Sequence, residues 1–294
     1  MRNFPAILFV LLLPVSLFSQ KQVSVVIKTS AMSKGSQPAF EVDIPQTSLK
    51  DVERDWKKYL GVNTKAKVSE TTGEILAKGA SYPEISKAPF NIYSKVIATT
   101  EGVTLTAWFT PNDSIFFSKG SEATAAQRFV RDFAVAEYYL AMRDQYQDER
   151  QKLEKMKDEL EKQVRDEEKS NIKIADNKRA IARAQEDLAT NANDQKDVAA
   201  NITLQQTEVT KARSRSADAL KEADNQLKKM EDDLKKLKDK EESLHKKIDD
   251  WNKQNTAEAR DVDNSEKAQK ESQAAIEKQK QLIANLALKM KAIK

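Results

Sequence analysis

The chain of 294 residues contains no cysteine and a single histidine, His245. Without cysteine there is no disulfide framework, no thiolate metal site and no cysteine nucleophile. One histidine excludes every site that needs two imidazoles, and it leaves one candidate for the base of a Ser-His-Asp triad. These shortages exclude most catalytic and metal chemistry. We therefore predict no catalytic residue, no cofactor-binding residue, no cofactor and no metal ligand.

Glycine and proline are missing from the last 174 residues, because the final glycine is Gly120 and the final proline is Pro111. Turns depend on these two residue types, so a globular domain of this length is excluded. Aromatic residues are scarce in the same region, where Trp251 is the only one after Tyr146. Region 121–294 holds 36 Lys+Arg and 36 Asp+Glu. This composition is typical of a long helix or a coiled coil. Disorder is the alternative, and the heptad repeat of this region opposes it.

The formal net charge of +4 does not indicate a nucleic-acid partner. Region 121–294 is neutral, region 20–120 has 13 Lys+Arg against 10 Asp+Glu, and the remaining charge is Arg2. The basic clusters at 211–215 and 235–238 lack neighbouring aromatic side chains on which bases could stack. We predict no nucleic-acid partner.

Residues 1–19 have the pattern of a cleaved secretory signal peptide. A positively charged start with Arg2 precedes an apolar run over 4–18, which is shorter than the roughly 20 residues that span a bilayer. Small residues near Ser19 permit cleavage there. We predict a secreted or periplasmic mature chain that begins at Gln20 and has no transmembrane segment. An uncleaved anchor is the alternative.

The end of this leader, Ser19-Gln20, resembles the leaders of secreted proteins from Bacteroidota-type bacteria. The resemblance implies a secreted or periplasmic coiled-coil protein of such bacteria. Asp113-Ser114-Ile115 is similar to the short motif that these bacteria O-glycosylate on the hydroxyl residue, and an ordinary hairpin turn is the alternative. Asn112 and Asn201 match the N-glycosylation pattern.

Region 20–120 is predicted to form a small α+β head domain with an antiparallel sheet. Ser48 and Asp51 provide a start similar to a capping box for one helix, which carries Trp56 on its apolar face and should end at Gly61. We expect this helix to cover one face of the sheet. Short β-branched or alternating segments predict strands at 22–29, 40–44, 65–71, 74–78, 90–99, 103–110 and 114–118.

A group of aromatic residues lies just beyond the head and before the aromatic-poor region. We expect the first turns of the long helix, up to about residue 146, to pack these side chains on the sheet and complete its core. A position in a coiled-coil seam is the alternative. The residues are Phe129, Phe133, Tyr138, Tyr139 and Tyr146.

Region 121–294 contains a heptad repeat that runs from Tyr139 to Ile293 without a skip, and sixteen of its 23 d positions are apolar. The matching a positions are apolar at several places from 227 to 290 and poor from 171 to 213. A stripe held at seven-residue spacing requires a second helix winding against it. We therefore predict a long α-helical coiled coil and expect a homo-oligomer.

Three polar stretches interrupt this repeat, at 165–171, 190–197 and 252–273, yet the register is the same on both sides of each. A loop of arbitrary length would preserve the register only by chance. We favour one continuous helix over a helical hairpin, whose best tip would be Asn191–Asp194. Polar residues at the a and d positions could fix the register and the number of helices of the coiled coil. The alternative is that they only weaken the seam locally, and we favour this alternative for Glu241. They are Asn171, Gln195, Glu241 and Asn255.

These patterns predict a non-enzymatic extracytoplasmic structural and interaction protein, in which a head binds a protein partner and an oligomerising coiled-coil stalk positions it. A periplasmic holdase-type chaperone with coiled-coil arms is the first alternative. An enzyme with its site in the head is the second, although its candidate residues form no recognisable constellation. His245 flanks the seam at an e position, where a surface or packing role is expected. The candidates in the head are Tyr82, Glu84, Tyr93, Lys95 and Asp113.

Overall fold

A computed structural model describes residues 23–71 and 73–293, so the predicted signal peptide at 1–19 lies outside the described residues. The chain divides into two compact units. The first unit consists of Met1–Lys152 and Gln279–Lys294, and the second consists of Leu153–Lys278. A six-stranded antiparallel sheet is followed by long helices, as the predicted α+β class requires.

The sheet belongs to the first unit and has the strand order β1-β2-β6-β5-β4-β3, with every neighbouring pair antiparallel. Short turns join β1 to β2, β3 to β4, β4 to β5 and β5 to β6, whereas the connection from β2 to β3 contains a helix, and β2 pairs with β6. Edge strands β1 and β3 therefore come from different hairpins. The strands are β1 Val26–Met32, β2 Gly35–Pro45, β3 Lys67–Thr71, β4 Glu74–Tyr82, β5 Ser86–Ala98 and β6 Gly102–Thr110.

Helix α1, Leu49–Thr64, begins where the capping pattern predicts. The Ser48 hydroxyl accepts a hydrogen bond from the Asp51 amide at 3.2 Å, which satisfies one of the free amides of the first turn. The helix does not end at Gly61 as predicted. It continues by one turn because Lys65 takes the left-handed conformation (φ 55°) and donates its amide to the Gly61 carbonyl. A left-handed residue is a common helix terminator, and here it is not a glycine.

One face of the sheet packs against α1 and against the start of α2, Gly120–Ala212. Apolar side chains that alternate along β2, β5 and β6 fill this core, and Phe129, Phe133 and Tyr138 of α2 are buried in it. Tyr146 packs at its margin. Tyr139 is 44% exposed, because it lies next to Tyr138 on the helix and therefore points away from the sheet.

The first unit also contains the end of α3, Ala217–Ala292, which returns to the head. Leu286 is buried in the same apolar core, and Leu282, Met290 and Ile293 pack against it. Gln279 donates hydrogen bonds to the carbonyl and the carboxylate of Glu149 at 2.9 and 2.7 Å. The core of the head thus includes residues from both ends of the helical region.

The strand predicted at 114–118 is wrong, because these residues follow a turn and continue without regular structure up to α2. Asn112 accepts hydrogen bonds from the amides of Ser114 and Ile115, and Asp113 has a left-handed backbone (φ 60°). An asparagine that bonds to following amides favours a turn over a strand. Phe116 then packs into the cluster on the second face of the sheet, and Phe117 packs against the core on the other face.

The second unit is a pair of antiparallel helices, and we call Leu153–Lys278 the helical hairpin. A single continuous helix through 121–294 was the favoured prediction, and it is wrong because α2 ends at Ala212 and α3 begins at Ala217. The alternative tip at Asn191–Asp194 is also wrong, since α2 is helical there. The polar stretches at 165–171, 190–197 and 252–273 are all helical.

Residues that are not fully exposed recur at alternating spacings of three and four along both helices of the hairpin. In α3 they include the predicted a residues Leu227 and Leu234. In α2 the second inward position comes three residues after each d position instead of four, so Asn177 and Asn191 face inward while Asn171 is exposed. A single row of apolar d residues does not show on which side of that row the other helix lies. For this reason the sequence predicted the wrong second inward row in α2.

Candidate functional site

The second face of the sheet, opposite to α1, carries a small apolar cluster. Because side chains alternate along a strand, Trp108 of β6 points away from the core that holds Ala107 and Phe109. Tyr93 of β5 pairs with Trp108 across the sheet, and Leu76 of β4 pairs with Tyr93. Ala39 and Phe116 complete the buried cluster, with Met32 packed against it. We call this group the Trp108 cluster.

The turn between β1 and β2 reaches across this face to β4. The amide and the hydroxyl of Ser33 donate hydrogen bonds to the Glu74 carboxylate, with distances of 2.8 and 2.6 Å. The Lys34 ammonium lies 3.9 Å from the Asp113 carboxylate. Strands β6 and β5 lie between β2 and β4, so these contacts hold the turn over the Trp108 cluster. One half of the second face is therefore closed.

Asp113 and Tyr93 are two of the five enzyme candidates from the sequence, and the structure brings them together. The Tyr93 hydroxyl donates to the Asp113 carboxylate at 3.0 Å, and the Asn91 amide donates to the same oxygen at 3.3 Å. Burial and the neighbouring carboxylate raise the pKa of Tyr93 to about 12. The phenol therefore stays protonated at neutral pH and acts as a hydrogen-bond donor that holds the 111–117 segment.

The other three candidates lie elsewhere in the first unit. Tyr82 packs its ring against Phe129, 5.0 Å between centroids, on the side of the sheet that carries the helices. Burial, and secondly the nearby Glu84 carboxylate, raise the pKa of Tyr82. Lys95 is exposed on the second face. The five residues therefore do not converge on one point where a substrate could react.

The open half of the second face is a polar surface next to the Trp108 cluster. One row of residues crosses four strands, from Val26 through Glu41 and Thr106 to Lys95. Thr106 is nearly buried and donates to the Glu41 carboxylate at 3.4 Å, while Val26 and Lys95 are exposed. Ile97, on the next row, is exposed as well. We call this surface the open face.

The indole nitrogen of Trp108 has no hydrogen-bond partner, and it is the single buried side-chain nitrogen or oxygen of this kind among residues 23–71 and 73–293. Leaving a buried donor unsatisfied costs about 1–3 kcal/mol. Sequence reasoning did not single out Trp108. Its position, out of phase with the apolar alternation of β6, is the signal that could have indicated a second apolar face.

The helical hairpin has a different kind of polar arrangement, in which inward-facing amides and carboxylates contact each other across the two helices. Gln195 of α2 donates to the Glu241 carboxylate of α3 at 2.7 Å and to the Asn191 amide oxygen at 2.9 Å. Gln269 of α3 donates to Glu167 of α2 in the same way, four heptads away on both helices. Both layers therefore pair one glutamine with one glutamate.

Three further hydrogen bonds join a side chain of one helix to a backbone carbonyl of the other. Asn191 donates to Leu237, and Gln205 donates to Ala223, both at 3.0 Å. Ser265 donates to Gln163 at 3.2 Å. From the Gln205 bond to the Asn191 bond, the steps along α2 and α3 are two heptads in opposite directions, and from the Asn191 bond to the Ser265 bond they are four heptads in opposite directions. The same antiparallel register thus holds throughout the hairpin.

The polar seam positions predicted from the sequence have mixed outcomes. Gln195 and Glu241 bond to each other, so the expectation that Glu241 is a plain weak point is wrong. Asn255 accepts a hydrogen bond from Asn177 at 3.0 Å. Asn171 is exposed and His245 is exposed. His245 occupies the e position beside the seam, and its imidazole therefore lies in solvent.

The predicted glycosylation residues lie at two kinds of position. Ser114 is exposed in the turn that follows β6, and the Asn112 side chain is used to hold that turn. Asn201 is exposed on α2. Modification at these residues stays a prediction.

Comparison with protein-family models and with curated proteins found no match for this chain. In the described parts of the chain, no group of three or more histidine, cysteine, aspartate or glutamate residues could hold a metal ion. Among the same residues, no helix has a long enough apolar stretch to cross a bilayer.

Proposed function

We propose that this chain is a non-enzymatic structural and interaction protein that works outside the cytoplasm, as the leader at 1–19 indicates. The head binds a protein partner through its open face. The helices of the helical hairpin form an antiparallel coiled coil that positions the head. The mechanism is geometric, because a fixed register and a fixed length determine where the binding surface is presented.

The observation that carries this proposal is the constant antiparallel register of the polar contacts in the helical hairpin. Polar groups at seam positions lower the stability of a coiled coil, but they specify its register and the number of helices. Five inward contacts of the hairpin agree with one register, including the two glutamine–glutamate layers. A spacer with a defined length needs this property, whereas a flexible linker does not.

The head supports an interaction role for a separate reason. Its most chemically suggestive group, Tyr93 with Asp113, uses the phenol to hold a segment of the chain, and its raised pKa prevents the phenol from acting as a base at neutral pH. The open face, in contrast, combines exposed Lys95 and Ile97 on a rigid sheet. A rigid surface with mixed character favours protein recognition over turnover.

The interaction is tested by a photo-crosslinking amino acid placed in the full chain at Lys95 or Ile97, in cells that secrete the protein. We expect the same covalent adduct from both positions. Val62, which is 70% exposed on α1 and lies on the other side of the sheet, is the control and should give no adduct. Equal labelling at all three positions, or general suppression of the aggregation of unrelated proteins by the full chain, would favour the holdase alternative.

The location is tested by sequencing the N-terminus of the secreted chain, which we expect to begin at Gln20. A charged substitution in the apolar run, Leu11→Arg, should keep the precursor in the cytoplasm, because the run must enter a nonpolar environment. The substitution Ser24→Arg, on an exposed residue beyond the cleavage point, should not change secretion. A chain that is exported equally well with Leu11→Arg contradicts the proposed leader.

A further inference from the structure

The tip of the helical hairpin is an unusual turn because it contains no glycine and no proline. The tip comprises 213–216, with the sequence Arg-Ser-Arg-Ser, between the end of α2 and the start of α3. None of the residues with a positive φ lies in it. Helix ends are commonly enforced by glycine or by a left-handed residue. The tip has neither.

The backbone hydrogen bonds of the tip continue those of α2. Arg213 donates to the Val209 carbonyl at 3.2 Å, four residues back, as in an α-helix. Ser214 and Arg215 donate to carbonyls three residues back, at 3.2 and 2.9 Å, as in a tightened last turn. The chain is therefore helix-like up to Arg215, and the change of direction is concentrated near Ser216.

The bond that specifically favours the turned form is made by Ser216. Its hydroxyl accepts the amide of Ala219 at 3.1 Å, which makes Ser216 the N-cap of α3. A residue in the middle of a helix does not make this bond, because its φ and ψ angles are helical. The Ser214 hydroxyl donates to the Lys211 carbonyl at 2.8 Å, a contact that is also available within a helix.

The heptad repeat passes through the tip without a change of phase. Val209, Ser216 and Ala223 are successive d residues seven positions apart, and Val209 and Ala223 are buried together at the tip. If 213–216 became helical, the row of d residues of α2 would therefore continue into α3, while the second inward row would change from the position three after d to the position four after d.

We propose that a second copy of this chain is the partner of the helical hairpin, in a domain-swapped dimer. In the dimer, 213–216 joins α2 and α3 into one helix, and α3 of one chain packs against α2 of the other. Because the register of the hairpin is antiparallel, a two-fold axis at the tip recreates every contact across the seam, including Gln195 with Glu241. This inference rests on the proposed coiled coil.

The first unit is compatible with this exchange. Leu286 and its neighbours Leu282 and Met290 contribute to the core of the head from the end of α3. In the swapped dimer the same positions are filled by the second copy, so no new interface has to be built. The free energy difference between the two forms is then set by the tip and by the association of the two chains.

The absence of native cysteine allows a direct test with thiol chemistry in the full chain. The variant with Gln195→Cys and Glu241→Cys is refolded at a series of concentrations and treated with a short bifunctional maleimide. Denaturing gels then distinguish a link within one chain from a link between two chains. We expect links between two chains, at a fraction that rises with the protein concentration during refolding, together with a dimer in light scattering.

Two variants at or next to the tip and a control sharpen the test. Ser216→Ala removes the N-cap from the turned form only, so the equilibrium constant between the turned and the helical form of one tip should change about fivefold in favour of the helix. Because the dimer contains two tips, we expect about a 25-fold increase of the dimer association constant. Ala217→Pro, at the first position of α3 where proline is compatible with the start of a helix, prevents a continuous helix and should leave only the monomer. Thr190→Ala, on the exposed face of α2, should not change the equilibrium.

The possible outcomes separate the two proposals. If the 195–241 link forms only within one chain at every concentration, and Ser216→Ala does not change this, the swapped dimer is overturned and the coiled coil stands. If no link forms at all between positions 195 and 241, the coiled coil itself is wrong. A dimer that persists in Ala217→Pro would also overturn the swap, because its interface would lie elsewhere.

Discussion

The head core and the helical hairpin bury very different side chains. In the first unit, large residues are completely removed from solvent around one aromatic group; among them are Trp56, Phe40, Phe90, Phe109, Phe129 and Phe133. In the hairpin the buried residues are few, and several are small; they are Ala184, Asn191, Val209, Ala212, Ala223, Leu244 and Ile276. Most inward positions of the hairpin keep part of their surface in water.

This difference indicates that the two regions are stabilised for different purposes. Burial of large apolar side chains gives the head most of its free energy of folding. The hairpin gains less from burial at each position, but its polar layers allow one register and penalise the others. We conclude that the head is built to be stable and the hairpin is built to be specific.

Replacing Trp56 should have the largest effect. Its side chain is fully buried, its indole nitrogen donates to Ser94 at 2.7 Å, and its ring lies 4.7 Å from that of Phe133. Trp56→Ala leaves a cavity and removes the donor to the Ser94 hydroxyl, and we expect it to lower the free energy of unfolding by about 4 kcal/mol. Hydrogen exchange of β5 and β6 is the measurement.

The control for this prediction is Tyr139→Ala, an aromatic residue that is 44% exposed in the same unit. We expect a loss below about 1 kcal/mol there. Similar losses at both positions would mean that the aromatic core does not dominate the stability of the head.

The sequence predicts most of the head because its signals are local. Alternating apolar residues indicated six of the strands, and the pairing of Ser48 with Asp51 located the start of α1. The errors occurred where a local signal competed with another. Gly61 suggested a helix end, but the chain continues to a left-handed Lys65. The apolar residues at 115–117 suggested a strand, but Asn112 forms a turn.

In the helical hairpin, unlike the head, the local sequence does not show where the chain turns. The heptad repeat is visible in the sequence, but it does not locate the turn. The tip at 213–216 has no glycine or proline, and the repeat keeps its phase through it, so the continuous helix was the simplest interpretation. Ser216 as an N-cap was the one available signal. A serine is too common in polar helices to stand out by itself.

The closed half of the second face could not be predicted, because its contacts join distant parts of the chain. Ser33 bonds to Glu74, which is 41 positions away, and the two residues meet only after the sheet has its complete order. Tyr93 and Asp113 were recognised as polar residues of interest. Their contact depends on the left-handed backbone of Asp113, which spacing alone does not indicate.

The second prediction concerns the Gln195 layer of the hairpin. Gln195→Glu removes the donor to Asn191 and Glu241 and places two carboxylates opposite each other. We expect the hairpin to lose about 2 kcal/mol. Adding Glu241→Gln to the same chain restores one donor and one acceptor and should recover most of this loss. Urea unfolding, followed by the ellipticity of the helices, is the measurement.

Asn193→Glu is the control for this layer, because it adds a negative charge on a neighbouring exposed position of α2. We expect a change below about 0.5 kcal/mol. If the double exchange is as unstable as Gln195→Glu alone, the layer does not set the register by its hydrogen bonds.

The third prediction is a pH dependence of the head. Glu137 of α2 is only 8% exposed, and burial, followed by the Asp55 and Asp51 carboxylates of α1, raises its pKa from 4.5 to about 7, with Arg54 acting in the opposite direction. The folded state therefore holds a proton that the unfolded state releases. This contribution to stability is complete below about pH 4.5 and is lost as the pH rises through about 7.

We expect Glu137→Gln to remove this loss, so that the variant is about 1–2 kcal/mol more stable than the natural chain at pH 8. Glu84→Gln, an exposed carboxylate of the same unit, should leave the pH profile unchanged. The measurement is the urea midpoint between pH 4 and 8. A natural chain and a Glu137→Gln variant with parallel profiles would show that the buried carboxylate does not titrate in this range.

The smallest predicted effect belongs to a polar contact on the second face of the sheet in the head. Glu74→Ala removes both acceptors of Ser33 and should release the turn that covers the Trp108 cluster. Because these groups are exposed, we expect a loss of about 1 kcal/mol, seen as faster hydrogen exchange at 32–35 and a change in Trp108 fluorescence. Lys34→Ala removes only a partly exposed ion pair at 3.9 Å and should have almost no effect. A loss at Glu74 as large as that at Gln195 would break the contrast, because polar positioning would then contribute equally in both units.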